Sequence, residues 1–374
     1  MKKISKSNNS ISRRKFLGNT AAVAAFSMVP LSYGFKNPSY PLTAQSDKPN
    51  SNFGGVQIGA ITYSWRSMPG GVENVIKYCK ECGISSIELM SGDLEEYLGA
   101  PKNPMAGMAG PRPAAAPAAG APPAGAPPAG APPAGAPPAG APAAARPQRQ
   151  PLTPEQEAAR AKYTEDLKAW RIGLPMSKVE GAKKTFDQAG IKIHIVKFSP
   201  ARWSDEEIDY AFKTAKAMGA KGVTDEIGED AVKKLGPIAA KHGMYAIFHN
   251  HMQFATEGFS YDPFLAVSPA VMMNFDAGHF FGSTGIHPNT IIEKYHDRIF
   301  AVHIKDKTGP KTDPANTNQV WGQGEVPLAD VLLLIKKNKW PIHCDIELEY
   351  DVKPWSNAVK ETRTCVQYAR NILI

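Results

Sequence analysis

The sequence predicts an α/β fold, a closed (β/α)8 barrel of parallel strands alternating with helices, on three observations. About eight short apolar runs alternate with stretches that carry helix start and stop signals. Four consecutive runs late in the chain end in His, Asp, His and Glu. Met244 to His251 reads Met-Tyr-Ala-Ile-Phe-His-Asn-His, Val271 to Phe275 reaches Asp276, Ile299 to Val302 reaches His303, and Pro341 to Ile346 reaches Glu347. No G-x-G-x-x-G follows the first run, which removes the usual support for the runner-up, an open doubly wound sheet that binds a dinucleotide.

The chain opens on an export signal. Ser12 to Leu17 reads Ser-Arg-Arg-Lys-Phe-Leu, with lysines before it and the apolar stretch Thr20 to Leu31 after it. A basic region with paired arginines and then a short apolar region is of the twin-arginine type, so residues 1–35 are expected to send a folded protein to the periplasm. The apolar stretch is shorter than the ~20 residues that span a bilayer, so no stable membrane span is expected. Residues 36–55, rich in Pro, Ser and Asn, read as a linker, and the barrel is expected over residues 56–374.

Val56 to Tyr63 is a first strand, Val72 to Cys82 a helix stopped by Gly83, and Ile84 to Leu89 a second strand bearing Glu88. A Pro/Ala/Gly-rich insertion over residues 100–151 follows this second strand. In it the unit Gly-Ala-Pro-Pro-Ala occurs four times from Gly120. Proline at that density excludes helix and sheet, so the segment reads as a solvated tether or surface loop. Order resumes at Thr153, an N-cap with Pro154 behind it and Gln156 completing a capping box. Helices through Trp170 and from Lys178 to Ala189 lead to a third strand, Ile191 to Phe198. Ser204 with Glu207 caps the next helix, to Met218. A weaker strand, Lys221 to Ile227, carries Asp225 and Glu226, and Glu229 to His242 is a helix stopped by Gly243. The four tipped strands are separated by helices at Asp262 to Val267, Asn289 to His296 and Leu328 to Asn338, and Trp355 to Asn371 closes the chain.

The 374 residues and 43% hydrophobic content suffice for one large barrel. The net charge of +8 is concentrated at the start, where Lys2, Lys3, Lys6, Arg13, Arg14 and Lys15 carry six charges, leaving 8 − 6 = +2 for the body. A nearly neutral body excludes nucleic acid as the main partner. It also counts against an apurinic endonuclease. The four cysteines are too few for a disulfide scaffold. The C-x-x-C at Cys79 and Cys82 would supply half of a zinc site, so both read as small buried helix residues.

Side chains on a strand repeat every second residue, so His249 and His251 are expected on one side. If the four tipped strands are neighbours in a barrel, their ends surround one point with nitrogen and oxygen donors. Such a set suits one divalent metal: manganese, cobalt, zinc or iron rather than calcium. Taken singly each residue reads as structural, but four at the ends of consecutive strands read as a site, because barrel active sites lie at that face. Lys305 and Asp306 read equally as a surface ion pair.

The motifs His-Asn-His at 249–251, Asp-Ala-Gly-His at 276–279, Val-His-Ile-Lys-Asp at 302–306, Gly-Gln-Gly-Glu at 322–325 and Ile-Glu-Leu-Glu at 346–349 resemble those of the xylose isomerase-like TIM barrels grouped as sugar phosphate isomerases/epimerases. That group includes inosose dehydratases and lyases acting on keto sugars. The resemblance runs from Gly190 to the end. It implies one divalent metal held by His249, Asp276, His303 and Glu347. The departure is at His249, where the epimerase branch has a glutamate. The pattern therefore looks closer to the dehydratase and lyase branches, unless Glu88 or Glu226 supplies the missing carboxylate.

The chemistry expected is proton removal beside a metal-polarised carbonyl to give an enediolate, with Glu347 or Glu349 as base. Return of the proton gives an isomerase or epimerase of an unphosphorylated keto sugar. Expulsion of a β-oxygen gives a lyase or hydratase acting on 3-keto-glycosides, with His251, His279 or Lys305 as acid and Glu226 as a further candidate. A non-catalytic carbohydrate-binding barrel is the third reading. Glu88, His279, Trp65, Trp321 and Phe198 are the candidate substrate contacts. The expected partner is a small-molecule carbohydrate; the sequence leaves oligomerisation open.

Overall fold

The computed structural model describes residues 48–105 and 152–374. The expected twin-arginine signal, most of the expected linker and the Gly-Ala-Pro-Pro-Ala repeat lie outside the described residues. The strands are β1 (Asn52–Phe53), β2 (Val56–Ile61), β3 (Ser86–Met90), β4 (Lys192–Lys197), β5 (Gly222–Glu226), β6 (Tyr245–His249), β7 (Val271–Asp276), β8 (Ile299–Ile304), β9 (Asp306–Lys307), β10 (Asn318–Gln319) and β11 (His343–Ile346). Eight of them close a parallel barrel in the order β2, β11, β8, β7, β6, β5, β4, β3, with β3 pairing back to β2. The four tipped strands β6, β7, β8 and β11 are therefore neighbours, as the sequence predicts.

The helices are α1 (Val72–Cys82), α2 (Ser91–Tyr97), α3 (Pro154–Gly173), α4 (Met176–Ala189), α5 (Asp205–Ala217), α6 (Glu229–His242), α7 (Asp262–Leu265), α8 (Ala277–Thr284), α9 (Asn289–Tyr295), α10 (Leu328–Asn338) and α11 (Ala358–Leu373). Both predicted capping boxes form, at Thr153 with Gln156 and at Ser204 with Glu207, each cap contributing about 1 kcal/mol. Gly83 and Gly243 end their helices with left-handed backbone, at φ 77° and 62°, a conformation that costs glycine little. Among the described residues no helix is long and apolar enough to cross a membrane. All four cysteines are buried free thiols.

The structure adds elements that periodicity does not reveal. Strand β1 pairs antiparallel with β2, and β9 with β10 forms a small hairpin beyond β8. Helix α8 starts directly after β7, because the Asp276 side chain accepts the backbone N–H of His279 at 2.7 Å and caps the helix itself. On the outer layer Arg171 of α3 donates to Glu95 of α2 at 2.8 Å and Glu207 of α5 at 3.1 Å. Its guanidinium lies 3.6 Å over the Trp203 ring. This buried clamp ties the helix before residues 106–151 to the helix after them; removing one partner of such a pair typically costs about 3–5 kcal/mol.

Two β-bulges shape the amino-terminal end of the barrel. Register skips His194 on β4 and Phe300 on β8, which re-aims both rings. His343 stacks on His194 at 4.0 Å and on Phe300 at 5.4 Å. A cavity of about 480 Å³ opens there, lined by Gln57, Ser86, His194 and His343 among others, at the opposite end from the strand tips. Burial and the facing His194 drive His343 down to about 2 from 6.5. Below about pH 6.5 the unfolded chain thus takes up a proton that the folded chain refuses, and stability falls with pH. Replacing His343 by Phe, which keeps the stack, is expected to abolish about 2 kcal/mol of the stability lost between about pH 7 and about pH 5. Denaturant unfolding at the two pH values checks this, and an unchanged pH dependence contradicts it.

Candidate functional site

At the carboxyl ends of the four neighbouring strands, His249, Asp276, His303 and Glu347 each present one ligand-type atom, all within 4.8 Å of one another and all buried. His249 Nε2 lies 3.2 Å from Asp276 Oδ2 and 4.0 Å from Glu347 Oε2, and His303 Nδ1 lies 2.9 Å from the same Glu347 oxygen. Two imidazoles and two carboxylates gathered this closely fit a divalent transition metal. These four residues would hold it.

A second layer fixes how each imidazole is presented. His249 Nδ1 faces Glu226 Oε2 at 3.0 Å, and His303 Nε2 faces Glu88 Oε2 at 2.8 Å. A carboxylate behind one ring nitrogen takes its N–H and turns the other nitrogen toward the ligand position. Glu226 is itself held by Lys197 at 2.7 Å, and Glu88 accepts from Asn274 Nδ2 at 2.9 Å. Burial resists the charged form of Glu88, yet the His303 imidazole more than offsets it and brings the carboxyl to about 2. Burial likewise opposes ionisation of Asp276 and Glu347, and Lys305 overcomes it, so both stay carboxylates.

The Asp-Ala-Gly-His segment roofs this cluster. His279, carried by α8, holds Nε2 3.5 Å from Glu349 Oε2. Burial lowers its pKa to about 4, so it is neutral near pH 7. Gly278 is required by what lies beneath it, since a Cβ there would stand 2.2 Å from Lys305 Cγ. Lys305 reaches Asp276 Oδ2 at 2.8 Å and Glu347 Oε2 and Glu349 Oε2 at 2.7 Å each. His251 lies beyond the end of β6 with its side chain 51% exposed, and its Nε2 meets Glu226 Oε2 at 3.1 Å. The hydrogen bond to Glu226 raises its pKa.

Several expectations are corrected. Glu88 is fully buried behind His303 and is a support rather than a substrate contact. Trp65 is 3% exposed, donates to Thr362 Oγ1 at 3.2 Å and packs on Tyr78, because it follows β2 on a 3-10 turn that faces α11. Trp321 is buried edge-on against Tyr368 of α11, and Phe198 is buried against Trp203 and Tyr210. None of the three rings is a sugar platform. Glu226 supports His249 instead of standing free. Lys305 and Asp306 are not a surface pair: Asp306 is buried and accepts the backbone N–H groups of Gly322 at 2.8 Å and Gly324 at 2.9 Å, which accounts for the Gly-Gln-Gly-Glu motif. Lys197 and Asn274 were missed. Asn274 sits two residues before Asp276 on one strand, so period-two alternation could have placed it on the inner face.

The fold and this cluster define a (β/α)8 barrel with a mixed imidazole and carboxylate centre at its carboxyl-terminal face. Residues 188–369 match the family model described as xylose isomerase-like TIM barrel. An inosose dehydratase of Clostridium botulinum is 36% identical over 80 residues, 21% of this chain and 26% of that protein. The inosose dehydratase of Clostridium beijerinckii is 35% identical over the same length. The chain thus spans about a quarter of the curated relatives it matches. Among solved structures, the probable 3-DHS dehydratase AsbF of Bacillus anthracis is 11% identical with a TM-score of 0.51, covering 83% of this chain and 98% of that one. The IOLI protein, solved with a zinc atom, is 14% identical with a TM-score of 0.51, covering 85% and 98%. These structures share the fold.

The support layer makes a direct prediction. Replacing Glu88 by Gln keeps its shape but weakens the hold on His303, and is expected to lower the affinity for Mn²⁺ about 10–100-fold. Equilibrium dialysis measures this, and an unaltered dissociation constant contradicts the role given to Glu88.

Proposed function

We propose that this chain is an exported, divalent-metal-dependent lyase or dehydratase acting on an unphosphorylated keto sugar, 3-keto-glycoside or related cyclic keto-polyol. The observation that carries the reading is the fate of the spare carboxylates. An epimerase needs a base on each face of the substrate. Histidine at 249 removes one, and neither candidate replacement is free. Glu226 is spent on His249, His251 and Lys197, and Glu88 is buried behind His303. One base with a separate acid suits elimination.

A bound divalent ion would polarise the substrate carbonyl and make the adjacent C–H acidic. Glu347 makes its contacts to His249, His303 and Lys305 through Oε2, so Oε1 is the atom assigned to take that proton. The electron pair left on carbon moves toward the carbonyl oxygen, then returns to form a C=C bond as the β-oxygen leaves. His251, at the open rim, donates the proton that the leaving oxygen needs, and its raised pKa keeps the acid form populated toward neutral pH. Neutral His279 orients substrate hydroxyls. The dehydratase names carried by the relatives support this branch. Export through the paired arginines supports a substrate without phosphate, because phosphorylated sugars are mainly cytoplasmic metabolites.

The second reading, a single-base isomerase, uses the same Glu347 and returns the proton to the neighbouring carbon. Incubation with Mn²⁺ and a panel of 3-keto-glycosides and keto sugars in D2O separates the two. Release of water or an aglycone, abolished by a chelator, is expected. Deuterium in recovered sugar without loss of a leaving group supports the isomerase instead, and chelator-insensitive sugar binding without turnover supports a non-catalytic barrel. Replacing His251 by Asn is expected to cost roughly 100-fold in turnover and to remove the fall in rate on the alkaline side where His251 loses its proton; a retained alkaline limb assigns the acid elsewhere.

A further inference from the structure

We propose that Lys305 is a built-in counter-cation of the centre, sharing its carboxylate oxygens with the divalent ion and yielding them when the ion binds, while Glu349 retains the ammonium. This rests on the reading that the cluster holds an ion. It concerns how the centre is kept assembled and how tightly it holds its metal.

The ammonium of Lys305 lies 2.8 Å from Asp276 Oδ2 and 2.7 Å from Glu347 Oε2. Those are the two oxygens that face His249 Nε2 in the four-residue cluster. The third partner, Glu349 Oε2 at 2.7 Å, stands outside that cluster. Lys305 is 2% exposed, and its stem runs under Gly278 so closely that a Cβ there would meet Cγ at 2.2 Å. The stem is therefore held by α8 while the head has three acceptors, only two of which belong to the ion.

Charge dictates both ends of the exchange. Buried carboxylates with no cation nearby are costly, so the ammonium lets Asp276 and Glu347 remain ionised and correctly placed before any ion arrives. A dication bonded to the same oxygens would stand within a few ångströms of a full positive charge, and repulsion between them is strong where water is excluded. The ammonium then leans on Glu349, whose side chain is 20% exposed. Affinity for the ion is thereby set below what the four ligands alone would give.

Calorimetric titration of the full chain with Mn²⁺ tests this, using wild type, Lys305→Met, Glu349→Gln and the double variant. Lys305→Met is expected to bind Mn²⁺ at least tenfold more tightly. Glu349→Gln, which strands the ammonium on the metal ligands, is expected to bind at least threefold more weakly, and that loss should vanish in the Lys305→Met background. Equal or weaker binding by Lys305→Met overturns the proposal, as does a Glu349→Gln loss of the same size with and without Lys305. Should Lys305→Met fold only with metal present, release of Mn²⁺ to a chelator is timed instead: slower release than wild type is expected, and equal or faster release overturns it. No Mn²⁺ uptake by wild type or any variant is a separate result, and it sinks the metal reading itself.

Discussion

The burial of Asp276 and Glu347 side by side is the constraint from which the rest of this barrel follows. Two carboxylates taken out of water repel one another and lose their hydration, so they persist as ions only if positive charge is supplied at bonding distance. Lys305 supplies it from between them. His249 and His303 face the same oxygens with nitrogens left available by Glu226 and Glu88. Neighbouring features then become intelligible. Gly278 is small because Lys305 passes under it, and α8 begins where it does because Asp276 caps it with the oxygen not turned to the cluster.

The barrel delivers these groups through alternation and closure together. Period two puts Asn274 with Asp276, Asp345 with Glu347, and Ser86 with Glu88 on inward faces, and the parallel register sets Asp276 beside His303 and Asp345 beside His303 from the other side. A polar column therefore runs through the lumen. It links the strand tips to the His194 and His343 stack at the opposite end, where His194 Nε2 meets Asp345 Oδ2 at 2.7 Å. Gly59 makes room for Asp345, since a Cβ there would fall 2.0 Å from Oδ1. Apolar packing of Ile195, Ile247, Met272 and Ala301 fills the remaining interior.

Much of this was legible in the residues alone. Apolar runs with a polar tip reveal strands because parallel barrel strands are buried on both faces, and Thr153, Ser204, Gly83 and Gly243 mark helix ends through local chemistry that tertiary context left alone. Four tips in consecutive strands sufficed to find the four residues that the fold brings together. What the residues did not disclose is which neighbours stand behind which. Glu88 and Glu226 look like free carboxylates in a sequence, and only the closed sheet shows that Oε2 of each faces an imidazole. Tryptophans mislead for a similar reason: a ring that could stack on sugar and a ring that fills the gap under α11 have the same letter, and exposure decides between them. The helix after Asp276 hid behind Gly278, a poor helix former that is there for packing.

Diffraction from crystals grown with Mn²⁺, collected at the manganese absorption edge, tests the central claim most directly. The account requires one anomalous peak bonded to His249 Nε2, Asp276 Oδ2, His303 Nδ1 and Glu347 Oε2, with His303 Nε2 still on Glu88. A map with no peak at that point, and with Asp276 and Glu347 still bridged only by Lys305, contradicts it.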